Sequence, residues 1–81
     1  MIVTVRLFAR ARDLVGADQI KLELPMSATA ADLRTQLAIR VPALAGLLER
    51  SALAVDGEFA ERDQLLSANT EIALLPPVSG G

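Results

Sequence analysis

Gln19-Ile20-Lys21-Leu22-Glu23-Leu24-Pro25, followed by Ser27-Ala28-Thr29-Ala30-Ala31-Asp32-Leu33 and then Leu37, Val41 and Pro42, is the stretch that decides the fold. Ile20, Leu22 and Leu24 alternate with Gln19, Lys21 and Glu23, the period-two pattern of a strand with one buried face, running from Asp18 to Leu24. Pro25 ends it. Thr29 is the expected N-cap of a helix, with Asp32 at the third helical position in a capping-box arrangement. Leu33, Leu37 and Val41 then recur every fourth residue, a single apolar stripe that must lie on something, and Pro42 stops the helix. A strand feeding one amphipathic helix that packs back onto its own sheet predicts a right-handed crossover.

The flanks supply the rest of that sheet. Ile2 to Phe8 reads as a strand, with Val3, Val5 and Leu7 on one face and Thr4 and Arg6 on the other. Ala9 to Val15 reads as a short helical turn closed by Gly16 as C-cap. So short a connection makes the first two strands antiparallel neighbours. Downstream, Ala43 to Glu49 is a second short helix and Leu53-Ala54-Val55 a short strand. Asp56-Gly57 is a tight-turn signal, because both positions need positive φ, and Glu58-Phe59-Ala60 returns from it. Asp63 to Leu66 is expected to be one turn that packs Leu65 inward. Glu71 to Leu75 is the last strand, with Ile72 and Leu74 facing the core and Ala73 and Leu75 facing outward or toward a partner. The class is α+β: a mixed sheet crossed by one main helix, the β-grasp or ubiquitin-like arrangement. First and last strands are expected side by side at its centre. Residues 1–75 form the domain and residues 76–81 a tail.

Composition narrows what such a domain does. At 81 residues it has room for one core, and a domain of this size buries only about 60–65% of its unfolded surface. Apolar residues make up 52% of the chain, yet Phe8 and Phe59 are the only aromatics, so the core is expected to be aliphatic. The absence of cysteine and histidine removes disulfides, thiolate catalysis, the commonest general base and the usual metal ligands; no metal site is expected. Glu61 and Asp63 read as a solvated pair rather than an acid/base pair. A net charge of −2 argues against a nucleic-acid partner, and Arg6, Arg10 and Arg12 read as a solvated basic face. No apolar run approaches the ~20 residues of a membrane span, and Met1 to Val5 carry no secretory pattern. A cytoplasmic protein is expected. Lys21 is the only lysine, which disfavours a modifier that polymerises on itself.

The chain closes on Leu74-Leu75-Pro76-Pro77-Val78-Ser79-Gly80-Gly81. Two terminal glycines arise by chance in roughly 0.5% of chains. A floppy tail usually follows a polar spacer, but here an apolar strand runs straight into Pro76 and Pro77. Lacking Cβ atoms, Gly80 and Gly81 can thread a channel too narrow for other residues, and what reaches its end is the main-chain carboxylate. Pro76 and Pro77 cannot donate ladder hydrogen bonds, so they end the strand and stiffen the exit. Six extended residues reach roughly 20 Å. The expected reactive group is therefore the C-terminus itself. A carboxylate of pKa near ~3.5 is ionised and a poor electrophile, and it needs activation. With no Gly-rich phosphate loop in this chain, activation falls to a partner.

On these residues the chain resembles the small, sulfur-carrying subunits of molybdopterin synthase over essentially its whole length. The resemblance is most specific at Leu75-Pro76-Pro77-Val78-Ser79-Gly80-Gly81, then at Phe8-Ala9-Arg10-Ala11-Arg12-Asp13-Leu14-Val15-Gly16, then at Leu53-Ala54-Val55-Asp56-Gly57-Glu58. Departures fall at Asp56, at Asn69-Thr70 and at Leu74-Leu75, the last standing where some relatives carry aromatic residues. The resemblance implies that a ubiquitin-activating-like adenylyltransferase uses ATP to adenylate Gly81, with no cofactor bound by this chain itself. A donor's sulfur then leaves Gly81 as a thiocarboxylate. The tail enters the large catalytic subunit and passes sulfur to a cyclic pyranopterin monophosphate, building the molybdopterin dithiolene within a heterotetramer. Gly81 then carries the chemistry, Gly80 supplies slimness, and Leu75, Pro76, Pro77, Val78 and Ser79, with Phe8 and Arg12, contact the partner. The alternatives are a sulfur carrier for thiamine synthesis, a ubiquitin-like protein modifier, and a plain interaction domain.

Overall fold

Alternation along β1 (Ile2–Leu7) fixes the centre of the molecule. Val3, Val5 and Leu7 are buried while Ile2 and Arg6 face solvent. The structure, a computed structural model, describes residues 1–77. After β1 come α1 (Ala9–Val15), β2 (Gln19–Glu23) and α2 (Ala30–Arg40). A 3-10 turn (Pro42–Leu44), α3 (Ala45–Leu48), β3 (Ala52–Val55), β4 (Glu58–Phe59) and β5 (Ile72–Leu75) follow. The strands form one sheet in the order β2-β1-β5-β3-β4. β1 pairs antiparallel with β2, Val3 opposite Leu22, and parallel with β5, Leu7 opposite Leu74. β3 pairs antiparallel with β5, Leu53 opposite Leu74. This is the expected β-grasp sheet, with the first and last strands adjacent at its centre.

Every inward row of that register is aliphatic. Val5, Ile72 and Val55 make one row and Leu7, Leu74 and Leu53 the next, all buried. Leu33 and Leu37 of α2 close the core from above, joined by Leu44, Leu47 and Leu48. α2 starts where the capping box predicts: the Thr29 N–H donates to Asp32 Oδ2 at 2.9 Å, and the Asp32 N–H to Thr29 Oγ1 at 3.3 Å. Pro42 ends the helix as expected and opens the 3-10 turn as its first residue. Half-buried Arg34 then ties α2 to the next segment, its two Nη groups donating to the carbonyls of Leu48 and Ser51, each at 2.9 Å. Those carbonyls lie at and just after the end of α3, where the Leu48 carbonyl also accepts the Ser51 N–H at 3.2 Å.

The Asp56-Gly57 turn has the expected geometry, φ being 51° at Asp56 and 85° at Gly57. Asp56 also ties the turn to the last strand, its Oδ1 accepting the Glu71 N–H at 3.0 Å.

One expectation fails. Leu65 does not pack inward; it is 67% exposed, and Leu66 is the buried residue. The segment is extended rather than turned at that point, because it pairs with the chain entering α2. Leu65 bridges Thr29, the Ala30 N–H donates to the Gln64 carbonyl at 2.9 Å, and the Leu66 N–H donates to the Ala28 carbonyl at 3.0 Å. Those bonds satisfy donors at the helix start and set the alternation that turns Leu66 to the core.

Candidate functional site: the outer sheet face at the base of the tail

β5 is hydrogen-bonded on both sides, to β1 and to β3, up to Leu74 and Leu75. The tail therefore follows an internal strand of the sheet. Leu75 and Pro76 are half-buried and Pro77 is exposed. Val78, Ser79, Gly80 and Gly81, four of the residues assigned to chemistry and partner contact, lie outside the described residues.

Of the other assigned residues, the register brings Phe8 toward this base. Phe8 is extended (φ −132°, ψ 156°) and sits one step beyond the Leu7–Leu74 pair, as Leu75 does. Alternation then places both on the outer face, level with each other. Arg12 is exposed on α1, a helix that lies against β5. Arg6 is also on this face, in a 3.8 Å ion pair with Glu71, both side chains largely exposed; such a pair is worth at most about 1 kcal/mol.

Phe59 belongs here and the reading of the sequence did not assign it. It lies opposite Ala54, which lies opposite Ala73, so the outer row runs Phe59, Ala54, Ala73, Arg6. The neighbouring row is Ala52 beside Leu75. The two aromatics of the chain, Phe8 at 40% and Phe59 at 76% exposure, thus stand on the surface and not in the core. Between them lies a floor of Ala52, Ala54, Ala73 and Leu75, an apolar trough at the root of the tail. Two exposed aromatics flanking an apolar floor are the kind of patch that marks an interaction surface. The signal was present in the sequence: a two-residue Asp56-Gly57 turn fixes which residue opposes Ala54.

The chemistry available on the face is contact and positioning. Among the described residues, no group of His, Cys, Asp or Glu has the arrangement to hold a metal ion. A groove of about 590 Å³ opens between α2 and α3, lined by Ala31, Arg34, Thr35, Ala38, Leu48 and Glu49, on the helical side rather than at the tail. No helix among the described residues is long and apolar enough to cross a membrane.

A rigid β-grasp domain with an apolar face at the root of a Gly-Gly tail defines the class of small ubiquitin-like carriers. The chain belongs to the ThiS family, whose model matches residues 5–81. It is 40% identical to the molybdopterin synthase sulfur carrier subunit of Dictyostelium discoideum, over 95% of this chain and 93% of that one. Its fold is similar to that of small archaeal modifier protein 1 of Haloferax volcanii, with a TM-score of 0.88, 27% identity and full coverage of both chains. A complex of subunits 1 and 2 of the molybdopterin-converting factor of Helicobacter pylori has the same fold, at a TM-score of 0.71 and 24% identity, with full coverage of both chains.

Proposed function

We propose that the chain is the cytoplasmic sulfur carrier of a molybdopterin synthase, and that its reactive group is the carboxyl of Gly81. The observation that carries this reading is the Gly80-Gly81 ending on a centrally paired strand, in a chain 40% identical to a sulfur carrier subunit. A partner adenylyltransferase of the ubiquitin-activating kind supplies ATP. The Gly81 carboxylate attacks the α-phosphate, pyrophosphate leaves, and the acyl adenylate carries AMP as a good leaving group. Sulfide released by a donor then attacks the acyl carbon as HS−, the bond to AMP breaks, AMP departs, and loss of the sulfur's proton leaves Gly81 as a thiocarboxylate. The large synthase subunit receives the tail and passes the sulfur to a cyclic pyranopterin monophosphate. Two deliveries build the dithiolene, in a heterotetramer of two carriers on a dimer of large subunits.

This chain's own part is docking and delivery. Phe8, Phe59, Leu75 and the alanine floor meet the large subunit, with Arg12 and Pro76 to Ser79 continuing the contact. The paired β5 and the two prolines then aim the last residues into the partner's channel. Positioning of this kind replaces a bimolecular encounter with an oriented one. Reconstituted synthase tests the reading: large subunit charged with thiocarboxylated carrier should form dithiolene, and Gly80→Val should fold normally yet deliver no sulfur. Normal delivery by Gly80→Val contradicts the assignment.

A second reading is favoured by the likeness to small archaeal modifier protein 1. The same activated Gly81 can acylate lysines of other proteins, giving isopeptide conjugates and AMP. Ladders of conjugates on blots against the carrier distinguish this role, and the large subunit that co-purifies distinguishes molybdopterin from thiamine synthesis.

A further inference from the structure

Four described residues have positive φ, and three have a local reason for it. Gly16 (79°) and Gly57 (85°) have no Cβ, and Asp56 (51°) shares the tight turn with Gly57 and uses its carboxylate to accept the Glu71 N–H. Ala9, at φ 50°, has none of these supports. An L-residue in this region carries a steric penalty from its Cβ, and strained backbone of this kind marks functional sites. Ala9 is also the hinge between β1 and α1, directly after Phe8.

The turn at Ala9 has a specific effect on Phe8. Phe8 keeps its strand conformation to the end, and the chain reverses within the next residue. The Phe8 carbonyl accepts the N–H groups of Ala11 at 3.1 Å and Arg12 at 3.4 Å. Both sides of the hinge are held: the Leu7 N–H donates to the Asp18 carbonyl at 2.8 Å, and Ala11 is fully buried. A right-handed residue at position 9 would start the helix in another direction, and with both sides held the change would have to be absorbed at Phe8. The ring would leave its place beside Leu75.

We infer that Ala9 is a positioning residue whose left-handed turn fixes Phe8 beside Leu75 and so presents the docking face preformed to the large subunit. This rests on the docking reading proposed above. A preformed face avoids ordering costs on association, and aromatic side chains are where the binding energy of an interface concentrates.

The test compares Ala9→Gly, which accepts φ near 50° without a Cβ, with Ala9→Val, whose branched side chain opposes it. In the free protein, nuclear Overhauser contacts between the Phe8 ring and the Leu75 methyls are expected in the wild type and in Ala9→Gly, and absent in Ala9→Val. Ala9→Gly should melt at or above the wild-type temperature. Affinity for the large subunit should be kept by Ala9→Gly and fall at least tenfold in Ala9→Val. That fall should vanish in a Phe8→Ala background, which a merely structural role would not produce. Equal loss in both backgrounds, or Phe8–Leu75 contacts retained in folded Ala9→Val, overturns the inference. If Ala9→Val does not fold, Ala9→Gly decides alone: a lower melting temperature or lost ring contacts overturns it. A wild-type carrier that fails to bind the large subunit refutes the docking reading, while the ring contacts still test the hinge.

Discussion

Phe59 is a large apolar side chain left three-quarters exposed in a domain that has only one other aromatic. Its removal separates docking from folding. Phe59→Ala should change stability by less than about 1 kcal/mol, since little of the ring is buried, while weakening the complex with the large subunit by about 2 kcal/mol, the scale of an aromatic hot spot. Calorimetry on the complex and thermal melts on the free carrier check the two halves. Leu65 and Leu66 make the opposite comparison. Leu66→Ala should cost about 2–5 kcal/mol, as core truncations do, whereas Leu65→Lys should stay within about 0.5 kcal/mol; urea unfolding of both variants checks it. The sequence could not separate these neighbours. Both are leucines, and which one points inward depends on hydrogen bonds to residues 28–30, more than thirty positions away.

At the scale of elements, legibility follows locality. The start of α2 was readable because the Thr29–Asp32 box closes within four residues. The Asp56-Gly57 turn was readable because two adjacent residues set its conformation. The place of Phe59 on the outer face was harder to read, since it needed the face of β3 and the turn register together. Arg34 was not readable: nothing near it in sequence announces that its guanidinium will hold the carbonyls of Leu48 and Ser51. Arg34→Ala should cost about 2 kcal/mol, the scale of hydrogen bonds from a charged donor. Arg34→Lys should recover little of it, because an ammonium lacks the planar fork that reaches two carbonyls at once. Thr29→Ala should cost about 1 kcal/mol through the lost cap. Denaturant titrations rank the three.

The whole molecule divides its apolar residues between two faces of one sheet. The inner face takes the branched aliphatics, which pack densely under α2 without any aromatic. The outer face takes Phe8, Phe59 and the alanines, around a strand paired on both sides. β5 is internal to that sheet, paired parallel with β1 and antiparallel with β3. The pattern of strands and helix was enough to predict that architecture, whereas the trough emerged only once the rows were in register. The core of the described residues runs from Val3 to Leu74, and removing Gly80 and Gly81 should leave the melting temperature unchanged while abolishing sulfur delivery.

The most direct test is an intact mass of the carrier after incubation with its activating enzyme, ATP and a sulfur donor, with fragmentation of the C-terminal peptide. A gain equal to one oxygen replaced by sulfur, located at Gly81, is the expected result. An unchanged mass, with the same enzyme shown competent on another carrier, would contradict the sulfur-carrier reading for that pairing and shift the weight to protein conjugation or to simple binding.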